Sequence, residues 1–293
     1  MAIYIKLLLA AVFWGGTFVA GRILAGYVSA YSAASIRFAI ASTILLISIR
    51  LILGKLPKLN TRQFAGIVCL GLTGVFAYNI LFFKGLQTIT AGRAALLIAM
   101  NPIAIGFFSA LFFKERITPK KASGILLSVL GAIVAITYGD IARLFRDSLK
   151  QEDLLILGCV ASWVVYSLVG KLILKQVSPL VSVGYASLTG TLFLFLATLA
   201  KGRWDPIATI PLLGWCALAY LGVFGTVLAF LWYYEGILKI GPARTGVFIN
   251  FVPVSAILLA YLILDEPITL SLAVGTALVV SGTFLVNHSK KEG

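Results

Sequence analysis

The sequence predicts an all-α polytopic membrane protein with ten transmembrane helices, arranged as two inverted five-helix repeats around a central cavity. Three observations predict this fold class. The 293 residues are 60% hydrophobic and 12% charged, with a mean hydropathy of +1.04, whereas a soluble domain is about 45–50% apolar and about 25% charged. The apolar residues form ten runs of about 20 residues, the length that spans a bilayer. A pattern of Arg, Pro and Glu in the first half also recurs in the second half.

The ten apolar runs are separated by mostly short connections. Seven of the nine prolines lie at or near these breaks, since proline interrupts the hydrogen-bond ladder of a helix. The first repeat is assigned to residues 4–138 and the second to 153–287, joined by a polar connection at 139–152 and followed by a tail at 288–293. The predicted spans are residues 4–25, 32–53, 64–86, 93–113, 120–138, 153–174, 179–200, 211–234, 244–264 and 270–287.

Lysine and arginine in the connections predict the orientation, because cytoplasmic connections carry an excess of these residues. The basic residues after the second and fourth spans and in the tail are therefore placed on the cytoplasmic side, which puts both termini in the cytoplasm. The membrane expected is the inner or plasma membrane of the cell. Three basic residues of the central connection oppose this orientation. The supporting residues are Lys55, Lys58, Arg62, Lys114, Arg116, Lys120, Lys121, Lys290 and Lys291; the opposing ones are Arg143, Arg146 and Lys150.

Charge and cysteine content argue against other classes of site. The formal charge of +14 lies mainly between the apolar runs, which favours cytoplasmic connections over nucleic-acid binding. Cys69, Cys159 and Cys216 lie inside apolar runs without a neighbouring Cys or His at ligand spacing, so neither a disulfide nor a metal site is expected. No phosphate-binding glycine motif is present, and no cofactor is expected.

An internal repeat is visible at a fixed offset of 151 residues. Matching glycines are common by chance in an oily sequence, but Arg, Pro and Glu-x-Ile-Thr in one register are not. With five spans in each half, the second half enters the membrane in the opposite sense, an arrangement typical of secondary transporters. The matches include Gly71 with Gly222, Gly74 with Gly225, Gly85 with Gly236, Arg93 with Arg244, Ile98 with Ile249, Pro102 with Pro253 and Glu115 with Glu266, and Trp14 matches Trp163 at an offset of 149.

Pro102 and Pro253 are predicted to kink two helices near the middle of the bilayer. Each proline removes a hydrogen bond to the carbonyl four residues earlier, and inside lipid such a carbonyl needs another partner. Asn101 and Asn250 lie beside these kinks. They are read either as residues that line a substrate cavity or as amides bonded to neighbouring helices in ordinary kinks.

Further polar and aromatic side chains are predicted at the same depth. Tryptophan prefers the membrane interface, so two central tryptophans need partners or a polar cavity. Each of these residues alone fits two interpretations: packing against other side chains with its polar group hydrogen-bonded, or lining a cavity. Taken together, the residues favour a polar cavity. The residues are Trp14, Thr17, Tyr78, Asn79, Trp163 and Tyr166.

Arg37 lies inside the second span, where an unpaired charge is costly. The corresponding second-half segment, residues 186–189, has no arginine. Arg37 therefore either contacts substrate or a gate, or extends to the membrane edge. Glu235 is the one acid within or at the end of a long apolar run, and is a weak candidate for proton coupling.

These residues make the chain similar to the drug/metabolite transporter superfamily, specifically its ten-helix EamA-type members. The similarity rests on Phe13–Phe18 (FWGGTF), Ile36–Phe38 (IRF), Gly85 with Leu86, Asn101 with Pro102, and Glu115–Thr118 with their second-half copies. It covers about residues 4–287. The resemblance implies two EamA repeats, cytoplasmic termini and a basket of helices around a central cavity. It also implies transport of small metabolites, often out of the cell.

The function expected is secondary transport of a small metabolite by alternating access, with an amino acid or related zwitterion as the leading substrate and export as the direction. Two alternatives remain open: an organic-phosphate or nucleotide-sugar exchanger of the same superfamily, and a polytopic membrane enzyme, which is disfavoured because acids are scattered and the one histidine lies in the tail. The expected partners are a small-molecule substrate and the lipid bilayer, and the protein is expected to be a monomer or weak dimer. The substrate-binding candidates are Trp14, Thr17, Arg37, Tyr78, Asn79, Asn101, Trp163, Tyr166 and Asn250.

Overall fold

A computed structural model describes residues 2–113, 119–137, 139–140, 150–200, 205 and 209–287. Within these residues the regular structure is helical. Glu115, most of the central connection and the tail lie outside the described residues. The helices are α1 (Ala2–Ala25), α2 (Ala30–Leu53), α3 (Thr61–Leu86), α4 (Ala91–Ile98 and Asn101–Phe113), α5 (Pro119–Ile136), α6 (Gln151–Ile173), α7 (Pro179–Ala200), α8 (Leu212–Ile240), α9 (Pro242–Gly246, Val247–Asn250 and Phe251–Leu264) and α10 (Leu270–Asn287).

Seven of these helices are long and apolar enough to cross a membrane, namely α1, α2, α3, α4, α6, α7 and α8. The apolar stretches within α5, α9 and α10 are shorter. The prediction of an all-helical, multi-pass membrane fold is confirmed, while ten crossings stay a prediction.

Polar side chains at the connections define where several helices begin. Ser29 caps α2, and Asn60 with Gln63 forms a capping box at α3. Thr90 accepts a hydrogen bond from the Arg93 N–H at the start of α4, and Thr269 accepts one from Leu272 at the start of α10. Each cap satisfies a backbone donor that the first helical turn leaves without a partner.

Two helices are interrupted beside the paired prolines. Helix α4 ends its first part at Ile98 and restarts at Asn101, and α9 passes through a 3₁₀ turn at Val247–Asn250 before Pro253. Both interruptions precede the proline, whose ring excludes the preceding helical hydrogen bond. The broken segments face the interior of the molecule.

Helices α3 and α8 each contain a π-helical segment, which the sequence did not predict. These segments are Gly71–Ala77 and Val223–Leu228, and an offset of 151 residues superimposes one on the other. π segments are rare and occur frequently at functional sites. Here both lie midway along their helices.

The packing follows the sequence repeat. Helix α1 packs on α8 and α9, and its counterpart α6 packs on α3 and α4; α2 packs on its counterpart α7, and α5 on α10. Each of these contacts between the halves therefore has a counterpart related by the repeat, which is the pattern expected of a pseudo-twofold axis.

Close approaches at glycine repeat the same symmetry. A Cβ added to Gly225 would meet the Thr17 side chain, and one added to Gly74 would meet the ring of Tyr166. Thr17 and Tyr166 are themselves related by the offset of 149 that relates Trp14 to Trp163. Because glycine has no side chain, α8 approaches α1 closely at Gly225 and α3 approaches α6 closely at Gly74, and the repeat relates these two positions.

Candidate functional site

A central cavity of about 430 Å³, part of it open to solvent, lies between the two halves. Four of its lining residues form repeat pairs from the interrupted helices: Ile98 with Ile249 and Asn101 with Val252. The two tryptophans form a third pair. The full lining is Trp14, Thr17, Phe18, Arg37, Tyr78, Phe82, Ile98, Asn101, Trp163, Phe230, Ile249 and Val252.

Arg37 lies in the cavity wall and is 3% exposed. Its side chain extends toward α3 and α8. Nε donates to Thr226 Oγ1 (3.0 Å), Nη1 to Asn79 Oδ1 (2.9 Å) and Nη2 to the Gly225 carbonyl (3.4 Å). Of the two readings of Arg37, the structure therefore supports the interior one.

The partners of Arg37 are all uncharged. Among the described residues no carboxylate forms an ion pair with it, and none of the cavity-lining residues is acidic. A buried cation without a counter-ion is costly unless another group completes its environment. The wall consequently presents one uncompensated positive charge.

The three bonds use three of the five guanidinium N–H donors. Each terminal nitrogen of Arg37 donates one of them, so each retains one N–H. Two N–H groups on the two terminal guanidinium nitrogens suit a carboxylate or phosphate that accepts from both of them.

Aromatic rings form most of the remaining wall. Trp14 and Trp163 meet edge to face with centroids 5.5 Å apart, and Tyr78 lies 5.3 Å from Trp163. Trp14 Nε1 donates to the Gly225 carbonyl (3.1 Å), so this central tryptophan has the partner that its depth requires. Trp163 Nε1 has no well-aligned acceptor. The faces of such rings attract cations.

Asn101 supplies an acceptor in the cavity wall. It is 1% exposed and its Oδ1 has no hydrogen-bond partner. A buried acceptor without a partner is costly, so Oδ1 is suited to receive a donor from a molecule in the cavity.

Some predicted residues lie behind the wall. The Asn79 amide bonds to Arg37 and to its own helix. Tyr166 packs against Gly74. Asn250 is buried, and Val252, the repeat mate of Asn101, lines the wall. Pro102 and Pro253 are buried next to the wall without lining it. The wall and support residues that sequence reasoning missed are Phe18, Phe82, Thr226, Phe230 and Val252. Phe230 and Val252 are repeat mates of the candidates Asn79 and Asn101, so the offset gave a signal for these two, whereas the mate of Thr226 is Val75, which was not a candidate.

Ion pairs join the halves at both ends of the molecule. Arg93 of α4 and Asp153 of α6 form a buried pair at 2.8 Å, while Lys6 of α1 and Glu235 of α8 form a partly exposed pair at 2.7 Å. Glu235, the predicted candidate for proton coupling, is thus already paired. The Arg93–Asp153 end also carries a partly exposed pair between Arg22 and Glu266, at 3.6 Å.

The described wall residues supply groups that are suited to binding. None of them is Asp, Glu, His or Cys, and the described residues contain no cluster of three metal-ligating side chains. A guanidinium, an amide oxygen and aromatic faces select and orient a ligand.

Comparisons with known proteins agree on the type of molecule. The model of the EamA-like transporter family matches residues 1–137 and 150–288. The Bacillus subtilis transporter YyaM is 30% identical over 280 residues, covering 96% of this chain and 92% of the relative. A probable terminal-alkyne amino-acid exporter of Streptantibioticus cattleyicolor is 30% identical over 286 residues, covering 96% and 92%. A crystal structure with 20% identity shares the fold with a TM-score of 0.72, covering 98% of this chain and 97% of that one.

Proposed function

The chain belongs to the EamA-like transporter family, and we propose that it exports a small amino acid with an apolar side chain through its central cavity by alternating access. It is a multi-pass membrane transporter. The observation that carries the substrate class is the uncompensated charge of Arg37 in the cavity wall.

The carboxylate of the substrate binds Arg37. The two guanidinium N–H groups that remain lie on adjacent nitrogens, and a planar carboxylate accepts from both. A single cation on the wall also matches one carboxylate better than a phosphate dianion, which argues against an organic-phosphate or nucleotide-sugar substrate.

The ammonium group of the substrate binds Asn101 Oδ1, which accepts one of its N–H groups. The ring faces of Trp14, Tyr78 and Trp163, which line the same cavity, add cation–π attraction. Phe18, Phe82 and other apolar wall residues remain to contact a hydrophobic side chain.

The pseudo-symmetry of the halves supports alternating access. Inverted repeats rock about a central site, so that each end opens in turn. With the termini in the cytoplasm, the Arg93–Asp153 end is the outer one and the Lys6–Glu235 end is the inner one. The direction of export is supported by the relative whose name is a probable amino-acid exporter.

Counterflow in proteoliposomes tests this proposal. Vesicles loaded with unlabelled leucine should accumulate radiolabelled leucine transiently, and propargylglycine, a terminal-alkyne amino acid, should compete. Arg37→Gln should abolish the signal, whereas Arg50→Gln, at an exposed position of the same helix, should leave it intact. Absence of counterflow for apolar amino acids in the wild type, or full activity of Arg37→Gln, contradicts the proposal. Conversion of the substrate without translocation would indicate an enzyme.

A further inference from the structure

We propose that Asn79 and Thr226 are positioning residues that aim the Arg37 guanidinium at the substrate carboxylate, and that they set the preference of the transporter for carboxylate-bearing substrates. This inference rests on the proposed function, because it assigns the groups that make Arg37 selective.

Both residues are fully committed by their hydrogen bonds. Thr226 Oγ1 accepts from Arg37 Nε and donates to the Leu221 carbonyl at 2.9 Å. Asn79 Oδ1 accepts from Arg37 Nη1, and Nδ2 donates to the Val75 carbonyl at 2.7 Å. Both are 0% exposed. With donor and acceptor both engaged, neither side chain can rotate without losing two bonds, so each holds the guanidinium in one orientation.

Both side chains lie in or next to the π-helical segments. Thr226 lies within Val223–Leu228, and Asn79 follows Gly71–Ala77 by two residues. The Thr226 hydroxyl donates to the Leu221 carbonyl just before its segment, and the Asn79 amide donates to the Val75 carbonyl within the other segment.

The repeat shows that folding of a half does not require these polar groups. The repeat mate of Thr226 is Val75, and that of Asn79 is Phe230, at the same offset of 151. A π segment forms in both halves although the polar side chains differ. The symmetric scaffold therefore carries an asymmetric polar cluster around Arg37 alone.

The hydrogen bonds of Arg37 also connect the two halves of the chain. Asn79 belongs to the first half with Arg37, whereas Thr226 and Gly225 belong to the second. Any movement of α8 relative to α2 acts directly on the guanidinium. Substrate held by Arg37 is thereby connected to the relative position of the halves.

Competition by leucine and leucinol measures the role of these residues. Leucinol keeps the ammonium group and side chain but has a hydroxymethyl group instead of the carboxylate. In counterflow of labelled leucine, the wild type should be inhibited far more strongly by leucine than by leucinol. Thr226→Val should reduce this ratio about tenfold, the effect expected from one hydrogen bond to a charged group, with a smaller change in maximum rate.

Thr226→Ser, which keeps the hydroxyl, should restore the ratio, and Asn79→Leu should lower it. Thr191→Val is the matched control, because Thr191 donates only to its own helix at the Ser187 carbonyl. An unchanged ratio in Thr226→Val and Asn79→Leu overturns the inference, as does inactivity of Thr226→Ser together with Thr226→Val. A wild type without leucine counterflow instead refutes the proposed function.

Discussion

Arg93 Nη2 lies 2.8 Å from Asp153 Oδ2, and this buried pair joins the first half of the chain to the second at one end of the helices. Arg93 precedes the wall residue Ile98 by five residues, about 7.5 Å along a helix. The repeat mates of these residues are Arg244 and Tyr4. The symmetric position at the opposite end thus lacks a carboxylate, and the two ends of the molecule are closed differently.

Loss of this pair should favour opening at its end of the cavity. Asp153→Asn leaves Arg93 without this carboxylate, and breaking a buried ion pair from one side costs about 3–5 kcal/mol. We expect Val252→Cys, in a background without native cysteines, to react faster with an impermeant thiol reagent from that side. Glu235→Gln, which removes the partly exposed pair, serves as control. Equal labelling rates in Asp153→Asn and the parent would contradict the assignment of this pair as a closing link.

Gly225 packs so closely against Thr17 that the effect of a larger residue at position 225 should be reversed by a smaller one at position 17. An added Cβ would lie 2.6 Å from Thr17 Cγ2, and overpacking typically costs about 1–3 kcal/mol. Gly225→Ala should lower the thermal midpoint in detergent and reduce counterflow. Adding Thr17→Ser removes Cγ2 but keeps the hydroxyl, and should restore both. Failure of the double variant to recover either property would show that the Thr17 contact is not the cause.

Asn101 should contribute to binding of the ammonium group. Asn101→Leu removes the acceptor and keeps the branched shape with the same number of side-chain heavy atoms, so the half-saturating leucine concentration should rise about tenfold. Its repeat mate Val252 lines the same cavity without a polar group, and Val252→Ala should have a smaller effect. A larger effect of Val252→Ala than of Asn101→Leu is the outcome that this assignment excludes.

Asp205 should make stability sensitive to acid. Burial raises the pKa of its carboxyl, but hydrogen bonds from Ser29 and Ser32 outweigh this and hold the pKa below its usual value. A carboxyl with a lowered folded-state pKa stabilises fully above its unfolded-state pKa, about 3.9, and this contribution is lost as pH falls through the folded-state value. Asp205→Asn should therefore flatten the acid side of the thermal midpoint profile. A profile identical to the wild type would rule out this contribution.

The fold was predictable because membrane helices leave a local signal. Runs of about 20 apolar residues gave the spans, and the Arg, Pro and Glu register gave the repeat. The π segments at Gly71–Ala77 and Val223–Leu228 were not predictable, since they look like any other part of an apolar run.

The site was predictable in outline but not in its pairings. Trp14, Arg37 and Asn101 were expected inside the helical spans from their distance along a helix, and in the structure all three line one cavity. Sequence spacing does not reveal which residue of another helix a side chain meets, so Thr226 as a partner of Arg37 was missed. For the same reason, the pairing of Asp153 with Arg93 was not predicted.

Side-specific labelling of Val252→Cys, in a background without native cysteines, is the most direct test of a shared cavity with alternating access. Impermeant reagents added to either face of the membrane should label this cysteine, and leucine should protect it from both faces. Labelling from one face only, or labelling that leucine does not slow, would contradict a shared cavity with alternating access.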